Sequence, residues 1–402
     1  MRPLHYYLVG TGTWFMAFGV QGVMFSWLVA MVLRESPERV GIAQMALLLP
    51  GTLLLLLGGS YADRFGGRRL AMLAQGLACI APLLLMAVVA ADRLTFSTML
   101  GYAVLMGIAT AFVTPARDGL LNQVAEGKVQ RAVMLTSMIQ FGLQVFGFVI
   151  ASQADRAGAE IILCIQSLVL AVGIVAISRI PPTPSHRPGL PQRLLGSLIE
   201  GGRSVFSSKS MRLIVVQNMA MGMFFMGSYI VTMPLLVREV FDGSASDLAL
   251  MNGVNSLGLV SSIVLLLRLG DVHRQGRALI LAQGIGGLVL AGAAFVPLFS
   301  WFVAALFFWG VCGGVAMTMA RTIMQEAAPP GQLSRIMILH AFSFMGSGPN
   351  GAQLNGLLVE QEGPQTALVI CGMAMFVVMI AVWATSHMWR LDSRHMVPGE
   401  VA

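Results

Sequence analysis

GGSYADRFGGRR, Gly58 to Arg69, sets one aspartate and three arginines among glycines between two long apolar runs. The runs on either side are each about 20 residues long, the length needed to cross a hydrocarbon core. The charges therefore mark the point where one crossing ends and the next begins. The composition of the 402-residue chain agrees: 56% of residues are apolar, 11% are charged, and the mean hydropathy is +0.79. These values exceed those of an ordinary soluble domain.

Twelve such runs can be counted, near 8–33, 40–61, 70–91, 96–116, 132–153, 159–178, 213–237, 245–267, 278–297, 299–320, 336–359 and 365–389. All are predicted to be helices, because an open sheet edge finds no hydrogen-bond partner in lipid. The first run continues to Arg34, past the length of a secretory signal core, and is read as a spanning helix. The cysteines Cys79, Cys164, Cys312 and Cys371 each fall inside an apolar run, where a thiol packs as a small residue. Neither a disulfide framework nor a metal cluster follows from their spacing.

Of the 25 Lys and Arg residues, 20 fall on the side that holds both termini. Only Arg34, Arg39, Arg93, Arg156 and Arg238 fall opposite. Cytoplasmic loops retain positive charge, so both termini are predicted to be cytoplasmic, and the membrane to be the cytoplasmic (inner) one. The net charge of +7 is then a topology signal, and nucleic acid is not an expected partner.

The longest polar interval divides the chain into residues 1–178, a central loop 179–212, and residues 213–402. Leu194, Leu195, Leu198, Ile199, Val205 and Phe206 alternate with charges there, in a pattern that suits either a surface helix or a solvated linker. The two halves echo each other. PARDGLLNQVAEGKVQRAVML follows run four and MARTIMQEAAPPGQLSRIMIL follows run ten; Arg117 and Arg131 are fourteen apart, as are Arg321 and Arg335, and each pair encloses a glutamate, Glu126 or Glu326. GDVHRQGR follows run eight, with Asp271 to Arg277 spaced like Asp63 to Arg69. Such matches imply two parallel six-helix repeats.

GGSYADRFGGRR resembles the G-x-L-A-D-R-x-G-R-R/K loop motif of the major facilitator superfamily, and the twelve runs, central loop and second copy fit that family along the chain. The P-A-R-x-x-L-L-x-x-V run, Pro115 to Val124, is similar to a branch that includes the enterobactin exporter and related efflux proteins. Ser60-Tyr61 and Gly67 depart from the motif, and the second copy lacks its A-D-R core. The resemblance implies an all-α integral membrane protein of twelve helices in two six-helix bundles. It also implies a cytoplasmic gate built from Asp63, Arg64, Arg68, Arg69, Arg117, Asp118, Glu126, Asp271, Arg277, Arg321 and Glu326. In that gate Asp63 would face a helix start, where the dipole favours an anion, and Arg68 or Arg69 would reach Asp118. Gly59, Gly66 and Gly67 suit a tight turn and close helix contact.

No Asp, Glu, Lys or Arg falls near the middle of any predicted span, which argues against a strongly charged solute held by one counter-ion. Uncharged amides concentrate on helices one, two, five, seven, eight and eleven. Taken singly, each reads as an interhelical hydrogen bond; as a set they suggest a polar patch in a wide cavity. The residues expected there are Gln21, Gln140, Gln144, Asn252, Asn255, Asn350 and Gln353, with Met223 and Met226 from a methionine stripe on helix seven. No ATP-binding loop or hydrolase motif is present, so no cofactor is expected, and an enzyme is not predicted.

The expectation is a secondary transporter of rocker-switch type that exports small amphipathic molecules such as siderophores or drugs as a monomer in lipid. An inward proton is the expected exchange partner, with Asp63, Asp118, Glu126, Glu326 or His340 to carry it; without such coupling the reading is facilitated diffusion. An importer or lysolipid transporter of the same fold, and a non-transporting sensor, remain as alternatives.

Overall fold

The computed structural model describes residues 3–125, 129–182, 202–270, 272–329 and 332–390, and the side chains of 55–65, 122, 129–131, 133 and 334–335 lie outside the described set. The amphipathic stretch of the central loop lies largely outside it too. Every regular element among the described residues is a helix. In chain order they are α1 (Pro3–Val32), α2 (Pro37–Phe65), α3 (Gly67–Ala90), α4 (Phe96–Val124), α5 (Val129–Ala151) and α6 (Ala159–Ser178). Then come α7 (Lys209–Glu239), α8 (Ala245–Leu269), α9 (Gln275–Ala293), α10 (Phe299–Ala327), α11 (Leu333–Met345, continuing through 348–362) and α12 (364–385).

Ten described segments are long and apolar enough to cross a membrane, and because one of them crosses twice they account for eleven crossings. One segment, Ile336–Thr385, has 50 residues. At 1.5 Å per residue it would extend about 75 Å, more than twice the ~30 Å of a hydrocarbon core. It breaks at Gly363, whose φ of 80° only glycine adopts readily, and Pro364 then opens α12. The remaining crossing is α2, 29 residues long.

The chain forms two compact units, Met1–Gly189 with Asp242–Gly253, and Leu190–Phe241 with Val254–Ala402. In the first, α1 packs on α5 and α6, α2 on α4, and α3 on α4 and α6. In the second, α7 packs on α11, α9 on α10 and α12, and α8 on α10. The pairing of helices one to six thus recurs among seven to twelve.

Lipid tails are as apolar as a leucine side chain, so helices in a membrane associate through close van der Waals contact, favoured by small residues. A Cβ on Gly19 would stand 2.3 Å from the Gln144 carbonyl oxygen, and one on Gly147 2.1 Å from that of Met16. In the second unit a Cβ on Gly227 would stand 2.4 Å from the Gly351 carbonyl oxygen, and one on Gly351 2.6 Å from that of Gly222. Gly147 and Gly351 are 204 residues apart, as are Arg117 and Arg321, and Gly19 and Gly227 are 208 apart, as are Arg69 and Arg277. The loop pattern and the helix seams therefore report the same duplication.

Gly147→Ala should lower the melting temperature in detergent, because overpacking against backbone costs about 1–3 kcal/mol. Gly142→Ala, on the same helix with nothing within 4 Å, should not. Equal melting temperatures for the two variants would contradict the seam.

Candidate functional site

GGSYADRFGGRR is mostly helix. α2 runs through Phe65, α3 starts at Gly67, and the turn consists of Gly66 alone, with φ 82° and ψ 133°. Gly67 makes the close contact, since a Cβ there would lie 2.9 Å from the Ala116 carbonyl oxygen of α4. The second copy differs. α9 starts 208 residues after α3, but α8 stops at Leu269, and Gly270 turns the chain with φ 75°. The connection is thus about one helical turn less wound. The side chains of Asp63 and Arg64, and residues Glu126 and Asp271, lie outside the described set, so the helix-facing role expected of Asp63 is not described.

One arginine of each copy fastens a helix end within its own unit. Arg68 Nη2 donates to the Ser178 carbonyl at 2.6 Å, at the end of α6. Arg277 Nε donates to the Trp389 carbonyl at 2.8 Å, past the end of α12, and its guanidinium stacks 5.3 Å from the Trp389 ring centre. Exposed carbonyls and the negative dipole end make a helix C-terminus a good seat for a cation. Arg69 and Asp118 are exposed.

Arg117 and Arg321 are not loop residues, contrary to the expected spans 96–116 and 299–320. α4 and α10 are each 29 residues long and end at Val124 and Ala327. Pro115 does not end α4, because neighbouring packing tolerates a proline in a membrane helix. Ala116, Leu120 and Val124 continue a buried stripe against Tyr7, Leu70, Ala71, Ile177 and Ile180. Arg117 is 7% exposed and lies 4.6 Å from the Phe15 ring centre, with no partner for its Nε. A cation over an aromatic face in place of water is a cation–π contact, and the run count, which saw only the charge, missed it. Arg321 is exposed, while Glu326 accepts two bonds from Gln275 Nε2 at 3.0 and 3.1 Å, joining the end of α10 to the start of α9.

The amides expected in the cavity divide by environment. Asn252 donates to its own Leu248 carbonyl at 2.7 Å, and Asn255 reaches the Leu306 carbonyl of α10 at 3.2 Å. Gln21 is buried and Gln353 half-buried, each with an enclosed side-chain oxygen that has no protein partner. Gln140 and Gln144 are half-buried and Asn350 is exposed. His340 Nδ1 accepts from Asn218 Nδ2 at 2.9 Å, which leaves the proton of the neutral ring on Nε2.

The methionine stripe does not hold its expected helical spacing, because α7 widens into π-helix at Met221–Met226 and again at Ser228–Thr232. Met219 is exposed, Met223 and Met226 are half-buried, and Met233 is buried. Asn355 of α11, fully enclosed, holds this form. It donates to the Met223 carbonyl at 3.2 Å and to its own Gly351 carbonyl at 2.9 Å. Its side-chain oxygen accepts from Ser228 at 3.0 Å and Thr232 at 2.8 Å. π-Segments recur at functional sites. This one carries Phe225 and Tyr229, whose ring centres lie 5.5 and 5.9 Å from that of Trp309 on α10. Trp309 is 8% exposed, and its indole N–H has no partner. In the first unit Asp155 accepts from Trp27 Nε1 at 3.0 Å and from the backbone N–H of Ala245, the first residue of α8, at 2.7 Å. A buried amide hub and an acid in a short connection give no sequence signal of their own, so neither Asn355 nor Asp155 was expected as a functional residue.

Asn355→Leu should strand the Ser228 and Thr232 hydroxyls and the Met223 carbonyl. At about 0.6 kcal/mol per interhelical bond in a membrane protein, the loss is ~2 kcal/mol, readable as a lower melting temperature. An unchanged melting temperature would remove Asn355 from this role.

The family model described as Major Facilitator Superfamily matches residues 8–352 and 219–395. The multidrug efflux pump Tap of Mycobacterium tuberculosis (strain ATCC 25618 / H37Rv) is 24% identical over 367 residues, covering 86% of this chain and 84% of Tap. The lysophospholipid transporter LplT of Yersinia enterocolitica is 27% identical over 191 residues, 46% of this chain, and the match spans under half of LplT, 45%. Among solved structures, the nucleoside transporter NupG superposes with a TM-score of 0.72 at 14% identity, covering 96% of this chain and 99% of NupG. The D-xylose-proton symporter superposes at 0.73 and 12%, covering 98% of each chain. With the family model spanning nearly the whole sequence and the same twelve-helix fold in these transporters, the chain belongs to the Major Facilitator Superfamily.

Proposed function

We propose that this protein is a secondary active transporter that exports small, uncharged or weakly charged amphipathic molecules, of siderophore or drug type, by alternating access of its two halves. The observation that carries the reading is the wall formed in the second unit by α7 and α10. Phe225 and Trp309 are buried and back the half-buried Tyr229, while Met223 and Met226 on the same helix are half-buried, and the enclosed Trp309 N–H has no protein partner. Apolar area with a few unpaired polar groups is what an amphipathic solute requires. The likeness to Tap along most of the chain supports efflux.

Transport of this kind draws its energy from a gradient. The exchange partner proposed is an inward proton, carried by Asp63, Asp118, Glu126, Glu326 or His340, and the membrane proposed is the cytoplasmic one with both termini inside. The gate roles of Asp63 and its neighbours belong to the same proposal. The partial match to LplT favours a second reading, in which the solute is a lysophospholipid.

Proteoliposomes with an imposed pH gradient, offered siderophores, aromatic dyes and a lysophospholipid in parallel, separate these readings. Gradient-dependent dye or siderophore movement is expected, and movement of the lysophospholipid alone would select the second. Trp309→Ala should raise the half-saturating dye concentration several-fold, in line with the ~1 kcal/mol of an aromatic pair. Trp309→Phe should retain most of the affinity. Identical kinetics for wild type and Trp309→Ala would remove this wall from the solute path.

A further inference from the structure

The first unit carries a groove that plays no part in the transport reading. Its cavity of about 590 Å³ lies between the start of α1, the face of α5 and the end of α6. His5, Tyr6 and Arg179 line it at one end, and Val9, Leu143 and Val172 are among the apolar residues that line the rest. The segregation follows from the topology. α1 begins and α6 stops at the same end, so His5, Tyr6 and Arg179 stand at the edge of a groove whose lining is almost wholly apolar. Val9 and Val172 are 47% and 49% exposed, so the apolar wall is open.

On a helix that crosses a bilayer, an outward-facing apolar recess is in contact with acyl chains. What distinguishes this one is its mouth. The Arg179 guanidinium supplies a fixed positive charge, and the His5 ring and the Tyr6 hydroxyl supply further donors. Arg68, seated on the Ser178 carbonyl, brings a second guanidinium to the same helix end. Among the described residues that line it there is no carboxylate to suit the ammonium of a zwitterionic headgroup. Basic pockets between membrane helices of this kind bind anionic lipid headgroups.

We propose that this groove is a binding site for an anionic phospholipid of phosphatidylglycerol type, with one acyl chain against Val9, Leu143 and Val172 and its phosphate on Arg179, His5 and Tyr6. The site is independent of the transported solute, and the lipid is drawn from the leaflet that meets the N-terminal end of α1.

Native mass spectrometry of the full chain tests this, with phosphatidylglycerol and phosphatidylethanolamine of matched acyl chains titrated in detergent. Phosphatidylglycerol should bind more tightly. Arg179→Gln should weaken it about fivefold, equivalent to the ~1 kcal/mol of one arginine near an anionic surface, while Arg179→Lys retains binding. Val172→Trp, which fills the groove, should weaken both lipids, whereas Val377→Trp on the exposed face of α12 should weaken neither. Equal affinity for the two lipids, wild-type binding by Arg179→Gln, or equal losses in the two tryptophan variants would overturn the site. So would an Arg179-dependent preference for a lysophospholipid over phosphatidylglycerol, because the groove would then belong to the alternative transport reading.

Discussion

Backbone pressed against backbone, with no side chain between, is the constraint on which the rest of this structure depends. In hydrocarbon a helix gains little by burying leucine, so α1 meets α5, and α7 meets α11, through glycines whose missing Cβ lets carbonyls approach. The second seam has a further consequence. Where α7 lies on α11 at Gly222, Gly227 and Gly351, its hydrogen-bond ladder widens into π-helix, and Asn355 bonds the Met223 carbonyl there. The same amide oxygen gathers the Ser228 and Thr232 hydroxyls, so one side chain fixes the segment that presents Phe225 and Tyr229 to Trp309.

The fold was legible in the sequence because hydropathy, charge bias and repeat spacing are properties of many residues at once. Crossings of about 20 residues follow from bilayer thickness, and the repeat follows from Arg117–Arg131 matched by Arg321–Arg335. Helix ends were less legible. Pro115 and Arg117 read as the start of a loop, yet α4 continues for two more turns because Leu120 and Val124 extend its buried stripe and Phe15 offers Arg117 an aromatic face. Likewise GGSYADRFGGRR read as a loop, although a single glycine, Gly66, makes the turn.

Individual roles were the least legible. Nothing in a list of amides separates Asn355, which joins α7 to α11, from Asn252, which bonds to its own helix. The difference is depth and neighbours, not residue type. The methionine stripe misled for a related reason: its spacing presumes 3.6 residues per turn, and α7 departs from that between Met221 and Thr232. Arg68 and Arg277, expected at a gate, fasten helix ends to carbonyls within their own units. In the proposed mechanism, such contacts would hold each half together as it moves.

In the proposed function the protein is a carrier whose site is open to one side at a time. Counterflow tests that most directly: proteoliposomes preloaded with unlabelled solute are diluted into a trace of labelled solute, with no ion gradient and no nucleotide. A carrier should accumulate label transiently above its equilibrium level, because each outward trip with unlabelled solute returns a site to the outer face. A monotonic approach to equilibrium, or no entry at all, would contradict alternating access and leave the fold to a channel or a sensor.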